Sequence, residues 1–212
     1  MRKLVILLAL ATASAYGIGM GAGVFGGVAL PMGDMAAKED GSDLGMSPEF
    51  GGKVLIGVLP ALDVDIAFGY HLGHKMKDWE DIAGVDEPKV TIIPITVGAD
   101  YKFMFGESMG AYVGGGAGYY MEKFKIGGEI FDVTYTATFD INKPGIYVGG
   151  GFVYKFGKFA VDVNPRFNYI MNSGDYDVTV EFADGETQTG TETKDWKDMY
   201  VDVRFGVDYF FM

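Results

Sequence analysis

Apolar and polar residues alternate along most of this chain from residue 17 onward. In FAVDVNPRFNYIMN (159–172), Phe159, Val161, Val163, Pro165, Phe167, Tyr169 and Met171 fall on one side. Ala160, Asp162, Asn164, Arg166, Asn168, Ile170 and Asn172 fall on the other. A repeat of two is the periodicity of a β-strand. Similar alternation at 17–31, 50–59, 63–74, 91–103, 109–124, 145–156 and 199–211 brings the predicted strands to eight. The connections alternate as well. Those at 60–62, 106–108 and 157–158 are tight, whereas those after the first, third, fifth and seventh strands are long. Short turns at one end and long loops at the other are the arrangement of an outer-membrane barrel.

Charge follows the same division. The long segments 32–47, 75–88, 125–144 and 173–197 carry −3, −3, −1 and −5, which together equal the net charge of −12. The strands are therefore close to neutral, and the loops make the chain acidic. At the N-terminus, Arg2 and Lys3 precede the apolar run 4–11, and Ala13-Ser14-Ala15 supplies small residues. That is the pattern of a cleaved export signal over 1–15, leaving 16–212 as the barrel. The run is too short for a spanning helix, and no other stretch is long and apolar enough. The chain has no cysteine, so disulfides, thiolate metal sites and a cysteine nucleophile are excluded.

Alternation alone does not say which face meets water. A soluble ligand-binding barrel would turn its apolar face inward, and a membrane barrel would turn it outward. The polar face here is rich in glycine, at Gly19, Gly21, Gly23, Gly114, Gly116, Gly118, Gly149 and Gly151. That suits the crowded interior of a small, curved barrel. Acids and bases are interleaved on the same face, as buried charge requires. The predicted fold is all-β: an eight-stranded antiparallel up-and-down transmembrane β-barrel, with its apolar face to lipid and Tyr and Phe near the strand ends. Pro94 and Pro165, inside strands of a barrel with no free edge, predict a bulge or strand end near each.

The opening strand GIGMGAGVFGGVALPMGD, the runs IPITVGADYKF and YVGGGAGYY, and the closing FGVDYFF resemble the small eight-stranded bacterial outer-membrane barrels, the OmpA-, OmpX- and OmpW-like group. The resemblance spans the whole mature chain through loose motifs. It implies a Gram-negative outer-membrane location, contact with lipid and lipopolysaccharide, and insertion by the barrel-assembly machinery. The family usually ends on an aromatic residue, whereas here Met212 follows Phe211.

The predicted lumen set is Lys53, Asp65, His71, Asp100, Lys102, Glu122, Lys155, Asp162, Arg166, Asp202, Arg204 and Asp208. It reads as structural packing rather than a selectivity filter, because eight strands leave an interior just filled by side chains. Phe124, Ile126, Phe131 and Tyr135 could line an apolar mouth. The GxGxxG match at 21–26 leads to Pro31 rather than into a helix, so it reads as small lumen residues and not as a nucleotide loop. His71 and His74, three apart on an expected strand, should face opposite sides and share no metal. DGSD (40–43) and GDYD (174–177) lack the full spacing of a calcium loop and read as solvated surface. The segment 173–197 fits a hairpin turning at Asp184-Gly185 that extends the last two strands above the membrane.

The leading functional reading is a structural or surface-interaction barrel without an open pore, catalysis, cofactor or metal. It is read as a monomer, with no nucleic-acid partner and a possible extracellular partner at the acidic loops. The alternatives are a conduit for small hydrophobic molecules, a lipid-modifying enzyme and a soluble periplasmic ligand-binding barrel.

Overall fold

The computed structural model describes residues 19–36, 44–76, 86–130, 133–182 and 184–211. The signal-like segment 1–15, the DGSD stretch and Phe131 lie outside the described residues. The strands are β1 (Gly19–Gly33), β2 (Ser47–Leu59), β3 (Leu62–His71), the two-residue β4 (His74–Lys75), β5 (Lys89–Met104), β6 (Met109–Ile130), β7 (Val133–Phe156), β8 (Phe159–Phe182) and β9 (Thr187–Phe210). Every pairing is antiparallel. The order is β3-β2-β1-β9-β8-β7-β6-β5-β4, and β3 also pairs with β5. That last ladder closes eight long strands into a ring, with β4 as a short extension along β5. Among the described residues no helix is long and apolar enough to cross a membrane. Closure leaves no sheet edge within the ring, the condition for strands to sit in lipid.

The orientation of the faces is unambiguous. Phe152, Val24 and Phe205 are 69%, 66% and 62% exposed on the outer wall, while Asp202, Asp65 and Arg204 are 0%, 1% and 3% exposed. A barrel built to hold a greasy ligand in water would show the reverse, so the soluble alternative is excluded. At the short-turn rim the rings of Tyr154, Phe156, Phe159, Tyr209 and Phe211 form a continuous series of aromatic contacts. At the other rim the exposed apolar residues are mainly Met32, Met46, Leu72, Tyr119 and Met171.

Tight packing explains the inward glycines. A Cβ on Gly98 would collide with the hydroxyl of Tyr147, and one on Gly23 with the carboxylate of Asp208. Pro94 and Pro165 lie at interruptions of a neighbouring ladder rather than at register shifts. The β3–β5 ladder ends at Phe68 opposite Ile95, so Pro94 sits where that partner is no longer paired. Pro165 lies in a gap of the β7–β8 ladder between Gly149–Arg166 and Phe152–Val163, with the register unchanged across it. The register shift on β7 lies instead between Asp140 and Gly145, around Pro144.

One expectation needs correction. The segment 125–144 is not a loop: β6 and β7 remain paired as far as Ile130 and Val133. β8 and β9 remain paired to Glu181 and Thr187, with Gly185 at φ 87 in the turn. Strands β6–β9 thus continue above the barrel as a four-stranded sheet, and the GDYD stretch lies within β8 rather than in a loop.

Candidate functional site

The lumen is a filled column of paired charges. Nearest the short turns, Lys53 on β2 reaches Asp162 on β8 at 2.5 Å and Asp208 on β9 at 3.1 Å. Lys102 pairs with Asp63, and the half-buried Lys155 lies 5.5 Å above the ring of Phe210. One level higher, the hydroxyl of Tyr147 donates to Asp65 at 3.0 Å, and the Arg166 guanidinium lies 4.5 Å over the same tyrosine ring. Arg166 Nε donates to Asn164 at 2.7 Å, and Asn164 Nδ2 donates to the Tyr112 hydroxyl at 2.5 Å. Asp100 is buried in the same chamber. A cavity of about 30 Å³, enough for water and little else, is lined by Lys53, Asp65, Asp100, Arg166 and their neighbours.

The upper chamber is organised by Arg204. It donates to Glu49 through Nη2 at 2.7 Å and Nε at 3.2 Å, and to Asp202 at 3.0 Å. Asn168 Nδ2 donates to Asp202 at 2.9 Å and its amide oxygen accepts from Tyr120 at 3.1 Å. His71 Nε2 lies 3.5 Å from Glu49, and Glu122 is buried beside Asp198. The residues expected in the lumen are all inward, with Lys155 the outermost. Asp63, Asn164 and Asn168 share the polar face with the predicted lumen set but were left out of it, and the sequence reasoning missed Glu49, His74, Asp198 and Tyr200. Glu49 and Asp198 fall just outside strand limits drawn too short, and parity with Lys53 and Asp202 would have found them.

The histidines do not face opposite sides. Gly73, at φ +117, breaks the two-residue phase, so both rings point inward with His71 Nδ1 3.1 Å from His74 Nε2. Among the described residues no cluster of three or more His, Cys, Asp or Glu could hold a metal.

Above this lies an apolar seal. Ala29, Met35, Leu44, Val90, Ile92, Tyr120, Ile170 and Tyr200 form one buried cluster, with Met76 and Phe124 packed against it. Of the residues expected at an apolar mouth, Phe124 is therefore in place and also contacts Phe139 at 5.4 Å between ring centres. Ile126 and Tyr135 lie farther out, on the β6–β7 extension opposite Ala137 and Gly128. Ser47, the serine near the histidines, is fully buried; its hydroxyl accepts from Gly73 N at 3.0 Å and donates to the Pro48 carbonyl at 3.2 Å.

The fold matches solved structures across nearly its whole length. A major outer membrane protein from Thermus thermophilus superposes with a TM-score of 0.67 at 13% identity, covering 92% of this chain and 99% of that one. OprG from Pseudomonas aeruginosa gives 0.49 at 12% identity over 91% and 95%, and Neisserial surface protein A gives 0.48 at 13% over 91% and 96%. No protein-family model and no curated protein matches the sequence. The chain has the fold of a small outer-membrane β-barrel.

Proposed function

We propose that this chain is an integral outer-membrane barrel that acts through its extracellular sheet, with neither an open pore nor catalysis. The observation that carries the reading is the β9 edge. β1 ends at Gly33 opposite Asp198, whereas β9 continues to Thr187 with β8 on its other side. Among the described residues, the backbone of 187–191 therefore has no strand on the β1 side. Thr187, Gln188, Thr189, Gly190 and Thr191 are exposed there. An unpaired, β-prone edge held clear of the membrane is a template for an added strand from an extracellular partner. The absence of a pore is supported by the filled lumen and the seal, and the absence of catalysis by a serine engaged with backbone rather than with an imidazole. A second reading, passage of small hydrophobic molecules, is favoured by the apolar cluster at the mouth, although Met35 and Leu44 fill it.

Membrane insertion is tested by gel mobility of unboiled and boiled outer membranes in SDS. A closed barrel runs differently before heating; identical mobility would sink the reading. The surface role is tested by cell-adhesion assays with a chain lacking 175–193, and unchanged adhesion would refute it. Uptake of a hydrophobic probe that falls on Phe124→Asp would favour the conduit instead.

A further inference from the structure

The described parts of the first two long connections, residues 34–36, 44–46 and 74–76, fold inward as a cap. Leu44 N–H donates to the Met35 carbonyl at 3.0 Å, Gly45 N–H donates to the Lys75 carbonyl at 2.6 Å, and Leu44 bridges to Met76. The underside of this cap is tied to the lumen by one line of hydrogen bonds. His74 Nδ1 is 2.8 Å from the Gly45 carbonyl and His74 Nε2 is 3.1 Å from His71 Nδ1. A carbonyl can only accept, so His74 Nδ1 carries the proton and donates to it. Its Nε2 must then accept from His71, which it can do only as a neutral ring. A second proton on His74 would set one N–H against another and place a cation beside His71.

We propose that His71 and His74 form an acid-released latch that holds the cap over the extracellular mouth. The groups facing the pair are Glu49 on β2, 3.5 Å from His71, and on β9 Arg204, Asp202 and Tyr200, whose ring meets His71 edge-on at 5.0 Å. On the solvent side, Lys75 pairs with Glu87 and Lys89 lies opposite it. These exposed lysines put His74 outside the membrane-spanning segments. Burial, together with the proximity of His71, lowers the His74 imidazole to about 4, while the Gly45 bond and Glu49 act in the opposite direction. A lowered folded value means that the neutral latch is at full strength above about pH 6.5 and weakens as pH falls towards 4. Acidification over that interval favours the open cap by roughly a hundredfold.

The chain has no cysteine, so site-directed spin labels can report the motion directly. A Met46→Cys, Val148→Cys pair, both exposed, places one label on the cap and one on the barrel wall. Distances are measured by pulsed electron resonance in lipid nanodiscs at pH 7.5 and 4.5. A single distance at the higher pH and a second, longer population at the lower pH is expected. His74→Gln, which cannot gain the charge, should keep one distance at both. An unchanged distribution in the otherwise native chain overturns the latch without recourse to a variant. A shift that persists in His74→Gln, checked for folding by heat-dependent gel mobility, assigns the motion to other groups and also overturns it.

Discussion

Arg204 and Glu49, separated by 155 positions in sequence, meet across β1 through two hydrogen bonds of 2.7 and 3.2 Å. The guanidinium also serves Asp202 and lies 4.6 Å over the ring of Phe25. One cation thus joins carboxylates from β2 and β9, on either side of the strand that carries Phe25. Replacing it with an apolar residue leaves two buried acids without their counter-charge. Arg204→Met should cost about 3–5 kcal/mol, the usual penalty for breaking a buried pair. Urea unfolding in lipid vesicles, followed by tryptophan fluorescence, would measure it, and a loss below about 1 kcal/mol would mean the pair is dispensable.

Gly98 and Tyr147 share one space. Gly98→Ala should destabilise the barrel by about 1–3 kcal/mol, because the added methyl meets the tyrosine hydroxyl. Tyr147→Phe removes that oxygen, and with it the bond to Asp65. In the double variant the two losses should be less than additive. Strict additivity in a mutant cycle would show that the two sites do not contact each other.

Val148, 59% exposed, lies near the middle of the apolar band on β7. Val148→Arg should cost about 2–4 kcal/mol in a bilayer, the expected penalty for a cation at mid-depth. Thr189→Arg, on the exposed extension, should be close to neutral. Equal effects from the two, read by the same unfolding assay, would contradict the assigned membrane position.

The β8–β9 hairpin stands above the ring. Joining Gly174 directly to Lys194, which are paired in the sheet, removes its upper part without changing the register below. Heat-dependent gel mobility should survive this deletion. Its loss would mean that the hairpin contributes to closure of the barrel.

The spanning strands were legible in the sequence because lipid outside and packed polar groups inside impose opposite demands on alternate residues. The same contrast continues above the barrel: Val133, Tyr135, Ala137 and Phe139 alternate with Thr134, Thr136, Thr138 and Asp140, so the continuation of β7 was legible and was passed over in favour of a long loop. The histidines were misplaced for a different reason. Counting by twos assumes an unbroken strand, and Gly73 at φ +117 resets the count. The prolines fall where a neighbouring ladder stops or skips a rung, a long-range match that no local pattern carries. The cap left a faint signal in Met35 and Leu44, apolar residues within acidic segments, but their burial depends on β5, β6, β8 and β9 arriving beneath them.

The seam between β1 and β9 pairs Gly21 with Phe210. β1, the first of the described strands, is completed only by β9, the last of them. No shorter nascent chain can shut the ring, and until it shuts, the inward carboxylates and guanidiniums lack the partners that make them tolerable away from water. The entropy lost in joining such distant segments must be overcome before the contacts that offset it can form. Assembly is therefore all or nothing at the level of the whole chain. The segment carrying Tyr209, Phe210 and Phe211 is the one whose arrival converts an open, adhesive sheet into a finished wall.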